Sequence, residues 1–150
     1  MARGLDVLQG HGMSDEEIRD LLASKGHGVL SMANDGVPYG IPLSFGYGGG
    51  DRIYFLFAGH SEEGRKVTYA ERSEAVSFLV YDVLPEGAWQ SVIVEGTLDR
   101  IDAEEWDAAR EAMGENAYRP DLLANVDSWE DPRVWAIEIE EWSGRASDAG

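Results

Sequence analysis

Between Gly28 and Ala58 two turn signals leave the chain little freedom in how it folds. Asn34-Asp35-Gly36 separates two strand-like segments, 28–33 and 37–47, and Asp-Gly favours a tight hairpin. Gly48-Gly49-Gly50-Asp51 turns the chain again before 52–58, a segment so apolar that it reads as a strand covered on both faces. Pro38 and Pro42 mark 37–47 as an edge or irregular strand, because each lacks a backbone donor.

The flanking sequence fits around these hairpins. Ser14-Asp15-Glu16-Glu17 has the pattern of a capping box, Ile18, Leu21 and Leu22 share one helical face, and Gly26 is the expected stop. A short helix is expected through about Arg72, followed by strands over 75–82 and 89–101. Gly96 lies inside the second of these, as a bulge or bend. Asp102-Ala103-Glu104-Glu105 repeats the capping pattern ahead of an apolar stripe of Trp106, Ala109 and Met113. Residues 118–131 read as irregular or weakly helical, and 133–141 as a last strand. Short strands joined by hairpins, with helices added, predict a mainly β fold, a small antiparallel barrel in a single domain.

Charge and composition exclude several functions. Against 29 Asp and Glu there are 12 Lys and Arg, a net charge of −17, and Lys25 and Lys66 are the only lysines. Such a surface repels phosphate backbones, so nucleic acid is not an expected partner. Acid spread along the chain with scarce lysine resembles the pattern of salt-accumulating organisms, and a haloarchaeal source is the expectation, with an ordinary acidic mesophile protein as the alternative. The absence of cysteine excludes disulfides, thiolate zinc sites, iron–sulfur clusters and cysteine catalysis. No apolar run approaches the roughly 18–20 residues of a membrane span, and the first residues lack a secretory apolar stretch. A soluble cytoplasmic protein is expected.

Catalytic motifs are few. His11, His27 and His60 are far apart and read as isolated, and there is no G-x-S-x-G elbow. The glycines at 46–50 precede a strand, so no helix N-terminus waits there for phosphate. One segment stands apart: Gly59-His60-Ser61-Glu62-Glu63-Gly64-Arg65-Lys66, at a strand–helix junction. Arg65 offers a bidentate fork and Lys66 a point charge to a bound anion, with Ser61 and backbone donors nearby. A solvated pair balanced by Glu62 and Glu63 is the alternative, and the residues alone leave both open. Tyr39, Phe45, Tyr47, Phe57, Trp89 and Trp142 could wall a flat pocket, although most aromatics in a barrel belong to its core.

In this order the segments resemble the pyridoxamine 5'-phosphate oxidase-like FMN-binding split barrels, in particular their nitroimidazole-reductase-like branch. The resemblance spans about 14–145. It is carried by Gly28-Val29-Leu30-Ser31 with Gly36-Val37-Pro38-Tyr39-Gly40-Ile41-Pro42-Leu43, by 53–66, by Ala75-Val76-Ser77-Phe78, by Gln90 to Gly96, and by the closing stretch 138–145. It implies a six-stranded antiparallel Greek-key split barrel and a homodimer with FMN between its subunits. It also implies roles for particular residues. Arg65 and Lys66 would grip the FMN phosphate, with Ser61 and His60 nearby. Ile41, Pro42, Leu43 and Ser44 would lie along the isoalloxazine ring, Phe57 and Ala58 beside it, and Gln90 or Ser91 would reach flavin across the interface. The resemblance does not extend to the Arg-Leu-Ala-Pro ending of the B6 oxidases. The implied function is an FMN-dependent oxidoreductase using NAD(P)H on a small electrophile. A flavin carrier or storage protein, or a deazaflavin or haem relative, are the alternatives.

A net charge of −17 makes the compact state repel itself until ions screen it, and at roughly 1 M salt the screening length falls to about 3 Å. The melting temperature should therefore rise as KCl is raised into the molar range. An unchanged or lower midpoint would overturn this expectation.

Overall fold

The computed structural model describes residues 10–56, 65–116 and 133–148. In chain order the elements are β1 (His11–Gly12), α1 (Asp15–Ser24), β2 (His27–Asn34), β3 (Val37–Tyr47), β4 (Arg52–Leu56), α2 (Arg65–Arg72), β5 (Val76–Val83) and β6 (Trp89–Arg100). A 3-10 turn (Ala103–Glu105), α3 (Trp106–Asn116) and β7 (Val134–Ala146) complete them. The strands run in the order β1-β7-β4-β3-β2-β5-β6, all antiparallel, and a further β6–β7 pairing closes the six longer strands into a barrel. The mainly β expectation holds, with β1 as a short seventh strand not foreseen from the sequence. β7 also runs on to Ala146, beyond the expected end near 141.

Local chemistry explains the turns. Asn34 pairs with Val37, and the two residues between them have positive φ, 53° at Asp35 and 78° at Gly36, which is a type I′ hairpin. The prolines of β3 fit by parity. Phe45 N–H donates to the Gly26 carbonyl, so odd-numbered residues of β3 turn their ladder groups toward β2. Pro38 and Pro42 fall at even positions, opposite Ala33 and Val29, where the backbone faces the other edge and no β2–β3 bond is lost. Among the described residues that other edge pairs with β4 only over Phe45–Tyr47.

α1 begins with the full capping box: Ser14 N–H donates to Glu17 Oε1 at 3.0 Å and Glu17 N–H to Ser14 Oγ at 3.2 Å. The backbone and side-chain bonds with Ser14 hold the Glu17 carboxyl below its usual range. The helix stops at an extended Lys25 rather than at a left-handed Gly26. Asp102 makes no side-chain cap, and α3 starts through the 3-10 turn instead. At Gly96 the β6–β7 register slips, so Glu140 of β7 is the additional residue; a Cβ on Gly96 would collide with the Glu138 carbonyl oxygen. This is the expected bulge.

β4 is covered on both faces. Ile53 and Phe55 point into the barrel core with Phe45, Phe78, Val80, Val92, Val94 and Ile137. Tyr54 and Leu56 point outward, into a second core formed by Ala109, Ala112 and Met113 of α3 with Ile101, Val134 and Ala136. α1 lays Ile18, Leu21 and Leu22 into the barrel core, and α2 adds Val67 and Ala70. Residues 57–64 and the segment 118–131 lie outside the described residues.

Gly46 is where α3 meets β3: a Cβ there would stand 2.5 Å from Met113 N and 2.6 Å from its Cα. Gly46→Ala should destabilise the fold by about 1–3 kcal/mol, seen as a melting point lower by several degrees. Gly50→Ala, where a Cβ meets nothing within 4 Å, should melt close to the unsubstituted protein. Equal melting points for the two variants would refute the close approach of α3.

Candidate functional site

Among the described residues two of the depressions on the barrel contrast in their chemistry. The first, about 490 Å³, lies between the β3–β4 turn and α3, where Asp51, Glu111, Glu115 and Glu138 surround Arg52. Arg52 bonds Glu138 through Nε and meets Glu105 at 3.0 Å. Burial alone would lower its pKa, but hydrogen bonds to Glu105, Glu138 and Tyr54 outweigh it and hold the guanidinium above its ordinary range. That cation is neutralised by carboxylates, so the cleft offers nothing to an anion.

The second depression, about 390 Å³, lies on the outer side of the β2–β3 hairpin, against His27, Pro42, Leu43 and Ser44. His27 stands opposite Ser44 and Val29 opposite Pro42. Of the expected strand residues, Pro42 is exposed and Leu43 and Ser44 half-buried. Ile41 is 7% exposed and lies in the barrel core, with its ladder groups turned to Leu30, so both its side chain and its backbone serve the fold.

Arg65, the first residue of α2, is exposed, and its guanidinium carbon lies 5.6 Å from the centroid of the Tyr39 ring on β3. Tyr39 in turn packs on Tyr69 at 4.9 Å. The cation is thus brought to Tyr39, which shares the inward parity of Ile41, whereas Pro42, three residues on, points outward. Lys66 lies in the same first turn of α2. Phe57, Ala58, His60 and Ser61 lie outside the described residues.

Gln90 and Ser91 are on β6, opposite Asp82 and Tyr81 of β5. Gln90 borders a small cleft of about 130 Å³ with Asp82, Trp89 and Ala146, whereas Ser91 alternates with buried Val92 and so shares the outer face with Ile93. Two strands, β2 and β5, separate β6 from β3, about 14 Å at ordinary strand spacing. Within one chain neither residue reaches the β3 pocket. Among the aromatics, Phe45 and Tyr47 are core residues, and Trp142 donates from Nε1 to Asp15 at 2.9 Å.

His27 is the pocket residue that the sequence reading passed over as isolated. It was findable: a two-residue turn at 35–36 fixes every pair of the hairpin, and seven steps back on each side bring His27 to Ser44. Among the described residues no group of three or more His, Asp or Glu is placed to hold a metal, and no helix is long and apolar enough to cross a membrane.

Comparison with known proteins bears on this arrangement. A search of curated proteins finds no match. Among solved structures, an FAD-binding protein from Mesorhizobium loti superposes with a TM-score of 0.72 at 24% identity, over 92% of this chain and 98% of that one. A Bacteroides thetaiotaomicron protein described as a 5-nitroimidazole antibiotic resistance protein gives 0.68 at 18%, over 91% and 86%. The haem storage protein of Vibrio cholerae gives 0.67 at 16%, over 91% and 96%. At these identities the likeness is one of fold. The family model described as pyridoxamine 5'-phosphate oxidase matches residues 14–146, nearly the whole chain, and the chain belongs to that family.

Proposed function

We propose that this protein binds FMN along the outer edge of β3 and is an oxidoreductase that passes electrons from NADH or NADPH to a small electrophile. One observation carries the reading: an exposed arginine at the start of α2 rests on Tyr39 of β3, the same strand whose Pro42, Leu43 and Ser44 wall a pocket with His27. A ligand with an anionic end and a flat end would engage both. Arg65 and Lys66 would hold the phosphate, and Pro42 to Ser44 would lie against the ring. Bound flavin supplies the hydride and electron transfer itself, so the chain need bring only binding, orientation and electrostatics. The fold likeness to an FAD-binding protein supports this reading.

The partner is a second copy of the chain. Pro42, Val29, Leu79 and Ile93 are register neighbours across β3, β2, β5 and β6, and all four lie on the outside of the barrel. Ile93 is 44% exposed, and Tyr81 beside this row is 55% exposed. An apolar band across four strands marks a contact surface. A partner there would also bring Ser91 to a β3 pocket that it cannot reach within its own chain. We read the acidic surface as that of a cytoplasmic protein in a salt-rich haloarchaeal cell.

A haem-binding reading is the second one, favoured by His27 in the pocket wall and by the likeness to a haem storage protein. The visible spectrum of the purified protein separates the two, through yellow flavin bands or a Soret band. NADH or NADPH bleaching a bound flavin would distinguish an enzyme from a carrier.

Hydrogen bonds to charged groups are worth about 1.5–3 kcal/mol. Arg65→Ala and Lys66→Ala should each weaken FMN binding roughly tenfold to a hundredfold with the fold intact, and should hardly affect riboflavin, which has no phosphate. Native FMN affinity in both variants would place the phosphate elsewhere.

Light scattering should show a dimer, and Ile93→Glu should shift it toward monomer with loss of flavin. A monomer holding stoichiometric FMN would sink the shared-site arrangement.

A further inference from the structure

In a chain with 29 acidic residues a cation is easily held by a carboxylate, and several described cations are. Arg52 is clasped by Glu138 and Glu105, Lys25 meets Asp82 at 3.0 Å, and Arg110 meets Asp107 at 2.8 Å. Arg65 is held differently. Among the described residues its guanidinium lies over the face of the Tyr39 ring, 5.6 Å from centroid to guanidinium carbon, within the range of a cation–π attraction.

The two ways of holding a cation have opposite consequences for a ligand. A carboxylate fixes a guanidinium and cancels its charge, so an incoming phosphate must displace it. An aromatic face fixes the guanidinium through the ring quadrupole and leaves both the net charge and the planar fork of donors free. The Tyr39 ring is itself fixed. It lies on the hairpin opposite Met32, packs against the barrel core, and stacks at 34° on Tyr69, one helical turn beyond Arg65 on α2.

We propose that Tyr39 is the positioning residue for Arg65, holding the guanidinium at the start of α2 through a ring face that does not neutralise it, and so giving the flavin site its preference for a phosphorylated flavin. This rests on the flavin reading above. Tyr39 acts through Arg65 and need not touch the flavin.

Dissociation constants for FMN and riboflavin, measured on the purified protein, test it. Tyr39→Leu should weaken FMN by about three- to tenfold and leave riboflavin unchanged, whereas Tyr39→Phe, which keeps the ring, should match the native protein on both. In an Arg65→Ala background, Tyr39→Leu should have no further effect on the FMN-to-riboflavin ratio. Tyr39→Met, closer in volume, replaces Tyr39→Leu if the latter does not fold. Native FMN affinity in Tyr39→Leu, or parallel loss of FMN and riboflavin, would overturn the proposal; the second result would show a structural role only. A native protein that binds flavin with no preference for FMN would instead refute the phosphate reading at Arg65, and the role of Tyr39 with it.

Discussion

The long ladder between β6 and β7 is the interaction on which the rest of the architecture depends. It joins the two ends of an otherwise open sheet, and its register from Gln90–Ala146 to Arg100–Trp135 sets the circumference of the barrel. Closure leaves no free edge between those strands. It also decides where the molecule spends its apolar residues: Phe45 and Phe55 each meet Phe78 edge to face in the middle, with centroids 5.0 Å apart. β4, pinned between β3 and β7, then needs cover on its outside, which α3 supplies.

The outer face away from α3 carries an apolar row of its own. α3 lies over β3 and β4 near Gly46, while the outer face of β3, β2, β5 and β6 carries Pro42, Val29, Leu79 and Ile93 in register. Charge is divided in the same way. On the α3 side carboxylates gather around a single arginine and satisfy it. Beside the hairpin an arginine rests on a ring.

Much of this was legible in the sequence, for identifiable reasons. Asp35-Gly36 fixed a two-residue turn, and with it the whole β2–β3 register. The apolar run through Ile53 and Phe55 announced two-sided burial, and Gly96 its bulge. What escaped was set by distant partners. β1 is a strand only because Arg145 and Ala146 pair with His11 and Gly12. Asp102 has the spelling of a cap, but the chain enters α3 through a 3-10 turn that leaves its carboxylate unused. Arg65 and Lys66 stood out as scarce bases, whereas the support from Tyr39 depends on a strand and a helix being brought together by the barrel. Ile41 matched by position, yet parity turns it inward.

The two prolines of β3 have one more effect. Along the edge facing away from β2, only Gly40 and Ser44 carry an N–H between residues 38 and 44, while every even position carries a carbonyl oxygen. The edge is therefore unequal in sign, rich in acceptors and poor in donors. A foreign strand needs donors and acceptors in alternation to zip on, and this edge denies it that pattern. The spacing that marks β3 as irregular in the sequence thus also makes this edge a poor template for a foreign strand.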